Sequence, residues 1–102
     1  MNIFDTEIPK SGENFEPLYK KDSVLIERIV SSDKVQSSIY KQPYDEWLVL
    51  LAGEALLEVE ERKVTLKKGD TLLIEAFKEH KVLKTKKGTI WLCVHVGVKD
   101  DI

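Results

Sequence analysis

From Ser23 onward, short β-branched and apolar stretches recur about every ten residues, punctuated by Gly, Asp and Lys-Lys pairs, and no apolar period of 3.6 runs through them. That rhythm admits a sandwich or barrel of short strands and excludes a helical bundle or a βαβ sheet. The expected strands are 24–30, 47–52, 55–59, 63–66, 71–76, 79–85 and 89–96, with turns at Glu61-Arg62, Gly69-Asp70 and Lys86-Lys87-Gly88. The run from Trp47 to Ala52 is apolar at every position, which predicts a strand buried on both faces. Residues 1–22 read differently. Pro9, Pro17 and scattered apolar residues predict an N-terminal arm, with Ser11 capping a single helical turn over 13–16, ahead of an all-β domain at 23–102.

A chain of 102 residues has room for one core. With 42% hydrophobic and 33% charged residues it reads as globular and soluble. The single cysteine, Cys93, excludes an internal disulfide and a cysteine-built zinc site, and fits a reducing, cytoplasmic setting. Residues 1–10 lack the apolar core of a signal peptide, and no apolar run approaches the ~20 residues that span a bilayer. A net charge of −2, two arginines in all and lysines paired at turns argue against a nucleic-acid partner.

Candidate chemistry gathers ahead of the apolar run. Gln36, Ser38, Tyr40, Gln42 and Glu46 share parity, so an unbroken strand would put them on one face, either solvated or lining a pocket. Glu46 is followed seven positions later by Gly53, and Lys68-Gly69-Asp70 is followed by His80, eleven positions after Gly69. These spacings over residues 23–96 resemble the two motifs of the cupin superfamily, His-x-His…Glu…Gly and Gly…Pro-x-Gly…His…Asn. The resemblance implies a double-stranded β-helix, or jelly-roll barrel. It also implies a small-molecule ligand, a homodimer, and Glu46 and His80 converging from neighbouring strands.

The motifs are incomplete. Tyr40 and Gln42 stand where the first two histidines belong, and Glu75, Phe77 and Lys84 replace the motif proline, glycine and asparagine. Cupins hold iron, manganese, nickel or zinc on three His and one Glu. Here the corresponding metal set is Gln42, Glu46 and His80, with His95 as a further ligand, and Gln42 and Tyr40 are weaker donors than imidazole. His95 shares one face of its strand with Trp91 and Cys93, opposite Leu92, Val94 and Val96. Both faces are apolar, so either can point inward. Three functions stay open: a divalent-metal site, a metal-free isomerase or epimerase using His80 and Glu46 with Tyr40 as an acid, and a non-catalytic ligand-binding pocket. Trp47, beside Glu46, faces away from the pocket and needs cover from the arm or from a second subunit.

Overall fold

A computed structural model describes residues 1–99; the last three residues of the expected domain lie outside the described residues. Eight strands form: β1 (Glu13–Lys21), β2 (Val24–Ser31), β3 (Asp45–Ala52), β4 (Glu54–Val59), β5 (Arg62–Lys67), β6 (Thr71–Ile74), β7 (His80–Thr85) and β8 (Thr89–Val96). They pair antiparallel in a five-stranded sheet, order β1-β2-β8-β3-β6, and a three-stranded sheet, order β5-β4-β7. The last strand lies between the second and third, the crossed order of a jelly-roll barrel and the all-β class expected. No helix of the described residues is long and apolar enough to cross a membrane.

From β2 onward the strands fall within two residues of their expected bounds. Three local expectations are corrected. Residues 13–16 are not a helical turn but the start of β1, which pairs with β2 along the sheet edge. Pairing gives those backbone groups partners that a lone turn lacks, and Pro17 sits at a register shift on the edge, where its missing N–H is tolerated. The hairpin turn after β4 lies at Glu60-Glu61, both at positive φ (46° and 67°), a conformation that usually calls for Asn-Gly. Finally, β3 is not buried on both faces. It alternates, with Glu46, Leu48 and Leu50 inside and Trp47 41% exposed.

The core lies between the sheets. Leu48, Leu50, Ile74, Trp91 and Cys93 of the large sheet meet Ala55, Leu57 and Leu66 of the small one. Each fully buried leucine contributes about 1.5–3 kcal/mol. The chain passes from one sheet to the other at Gly53, whose φ is +84° and whose missing Cβ would lie 2.6 Å from the Thr89 Cα. Only glycine meets both demands. A buried chain of hydrogen bonds ties three strands on the inner side: Trp91 Nε1 donates to Ser31 Oγ at 2.9 Å, and the Ser31 hydroxyl donates to the Glu13 carboxylate.

Candidate functional site

Alternation along two strands builds the site. On β3 the inward series Leu50, Leu48 ends in Glu46, and on β7 the inward series begins with His80 and continues to Val82. The two residues converge as expected, but across the sandwich rather than from neighbouring strands, because β3 belongs to the large sheet and β7 to the small one. Glu46 Oε1 and His80 Nε2 are 3.9 Å apart, and both side chains are more than nine-tenths buried. That gap is too long for a direct hydrogen bond. His80 Nδ1 lies 3.3 Å from the Lys78 carbonyl oxygen, and its Nε2 faces Glu46.

The segment before β3 supplies Tyr40 and Gln42. It is not a strand, because pairing begins only at Asp45; an isolated bridge joins Tyr40 to His80, with Tyr40 N donating to His80 O at 2.8 Å and His80 N to Tyr40 O at 3.0 Å. The bridge stacks the two rings at 5.7 Å. Gln42 Nε2 donates to Glu46 Oε1 at 3.1 Å. Gln36 and Ser38 are exposed, so the parity stripe reaches the pocket only from Tyr40 onward. Phe77, in the place of the motif glycine, keeps a glycine-like φ of +66°, and its N–H donates to the Gln42 carbonyl at 2.6 Å.

His95 faces inward, directly across the ladder from Glu46, with Trp91 and Cys93 on the same buried face. Its Nε2 lies 2.9 Å from Glu27 Oε1. Glu27 escaped the sequence reading. It sits in a β-branched run next to Arg28, and parity alone does not say which of the two turns inward. Arg28 turns outward, bonding Glu16 and the Ile3 carbonyl, while Glu27 and Ile29 line the pocket. Glu13, also on the lining, was hidden by the helical reading of its segment.

The pocket has a volume of about 80 Å³, opens to solvent, and combines these polar groups with Phe15, Ile29, Leu48, Leu57 and Trp91. Burial draws the His95 imidazole toward its neutral form, but the hydrogen bond to Glu27 and the charges of Glu46 and Glu27 outweigh it and raise the pKa above 6.5. Burial, then the charge and hydrogen bond of Glu46, push the Cys93 thiol strongly upward, so it stays protonated and inert although it lines the pocket. Tyr44 packs edge-on to His95 at 5.3 Å, and burial followed by the Glu46 and Glu27 charges raises its phenol too.

The expected metal donors Gln42, Glu46, His80 and His95 all reach this pocket. Their engagements do not form a ligand set. Gln42 presents its amide N–H rather than its carbonyl oxygen to Glu46, and His95 Nε2 is taken by Glu27. Among the described residues no three His, Cys, Asp or Glu side chains are grouped to hold a metal ion. Cupins commonly bind metals, but the donors as arranged here do not fit a divalent ion.

Comparison with known proteins adds the family context. A family model described as the cupin domain matches residues 30–95. A structure from Ralstonia eutropha described as a "putative mannose-6-phosphate isomerase" superposes with a TM-score of 0.87 at 33% identity, over 96% of this chain and 97% of that one. An RmlC-like cupin from Shewanella frigidimarina gives 0.79 at 16% identity, over 95% and 88%. KdgF from Halomonas sp. gives 0.80 at 13%, over 88% and 83%. These last two likenesses concern the fold alone. No curated protein matches the sequence.

Proposed function

We infer the function of this chain from its membership and its pocket: it belongs to the cupin superfamily. We propose that the pocket binds a small molecule and moves a proton on it without a metal, in the manner of an isomerase or epimerase. The observation that carries this reading is the facing pair Glu46 and His80, buried, 3.9 Å apart and both lining the cavity. A substrate seated beside the pair, on the cavity side, meets both groups, one taking a proton and the other returning it. Glu46 is the base, its carboxylate steadied by the Gln42 amide. His80, its Nε2 facing Glu46, is the acid, and the Tyr40 phenol stacked over it is a second donor at the rim. The Ralstonia eutropha neighbour bears the name of an isomerase, and this supports the reading.

The test uses dihydroxyacetone in D₂O, followed by proton NMR for loss of its C–H signal. Wild-type protein should wash out the signal with or without a chelator, and Glu46→Gln should slow it by about 10²–10⁴-fold. Glu46→Gln should melt at or above the wild-type temperature, since it removes a buried charge that no metal neutralises. A stoichiometric metal in the purified protein, together with chelator-sensitive exchange and a destabilised Glu46→Gln, would restore the metal reading.

A further inference from the structure

The charges around the pocket bear on what it can hold. Three carboxylates line it, Glu13, Glu27 and Glu46, with two imidazoles, and no lysine or arginine is among the described lining residues. A phosphate or carboxylate entering this space meets three carboxyl groups and none of the forked or ammonium donors that recognise such groups. A cationic group is not called for either. Glu27 is engaged by His95 at 2.9 Å, Glu46 by Gln42 at 3.1 Å, and Glu13 by the Ser31 hydroxyl. An amine would share these carboxylates with the partners they already have. What remains is a set of hydrogen-bonding atoms among apolar walls from Phe15, Ile29 and Trp91, a combination matched to hydroxyls on a short carbon chain. The volume of about 80 Å³ restricts the occupant to a small molecule.

We propose that the pocket selects an uncharged, hydroxyl-bearing small molecule and rejects its phosphorylated and carboxylated counterparts. This rests on the proton-transfer reading only for the location of the site, because binding is measured separately from turnover. Three three-carbon probes separate the possibilities: dihydroxyacetone, dihydroxyacetone phosphate and 2-amino-1,3-propanediol, compared by saturation-transfer NMR on the full chain. Dihydroxyacetone should bind at least about tenfold more tightly than its phosphate and more tightly than the amine. Phe15, 55% exposed at the open side, offers a gain-of-function control. Phe15→Lys supplies the absent cation and should close most of the gap between the phosphate and dihydroxyacetone. Binding of dihydroxyacetone without C–H exchange would remove the catalytic reading and leave the selectivity standing. The selectivity itself is overturned if the phosphate binds as well as dihydroxyacetone, if the amine binds best, if dihydroxyacetone does not bind, or if Phe15→Lys leaves the phosphate's affinity unchanged.

Discussion

Burial beside Ser31 raises the Glu13 carboxyl above its ordinary 4.5, the hydrogen bond from Ser31 offsetting only part of the effect. A carboxyl whose folded pKa is raised favours the fold below its unfolded value and loses that advantage as pH rises through the folded value. Glu13→Gln keeps an acceptor for Ser31 and removes the buried charge, so it should raise the melting temperature at pH 7, with the gain vanishing below pH 4.5. His95 follows the same sign from a different cause. Its pKa is raised above 6.5 against burial by Glu27 and Glu46, so its stabilisation is complete below 6.5 and is lost as pH climbs through the folded value. The melting temperatures of wild type and Glu27→Gln should therefore differ most at pH 6 and draw together in the alkaline range. Glu46 and His80 were legible because their spacings to Gly53 and Gly69 are local in sequence. Glu27 was not, since its role depends on which face of β2 meets β8, and that is settled by pairing between residues far apart in the chain.

Among the elements, the passage from β3 to β4 is the least tolerant of change. Gly53→Ala combines a left-handed residue, about 1–2 kcal/mol, with contact against the Thr89 backbone, about 1–3 kcal/mol of overpacking. The variant should melt lower by about 4–8 °C for each kcal/mol lost, with Gly69→Ala, where the added Cβ meets nothing within 4 Å, as the milder control. The strands from β2 onward could be read from alternation and turn residues because each is short and flanked by breakers. β1 could not. Its residues Glu13, Asn14 and Glu16 have little strand preference, and what makes them a strand is the waiting edge of β2 together with Ser31 and Arg28, which bind Glu13 and Glu16.

On the scale of the whole molecule, the outer face of the large sheet carries a row that crosses all five strands: Tyr19, Ile26, Val94, Trp47 and Leu73, each opposite the next in register. Tyr19 is 54% exposed, Trp47 41% and Leu73 57%. The arm is pinned beside this row, where Arg28 donates to the Ile3 carbonyl, and it leaves Trp47 open. We infer that a second copy of the chain covers the row by sheet-on-sheet packing, a self-complementary twofold contact. Sedimentation at micromolar concentration should give about twice 11.7 kDa, and Trp47→Lys should give a folded monomer. A wild-type monomer under those conditions would end this reading. The other face of the same sheet carries a different consequence. Glu46 rides on one sheet and His80 on the other, so their separation is a caliper on the sandwich itself. Leu50 and Leu66, which are not pocket-lining residues, act as spacers between its jaws. On the proton-transfer reading, trimming them would detune the pair from a distance, and reactivity in this barrel would in that sense be a property of how tightly it is filled.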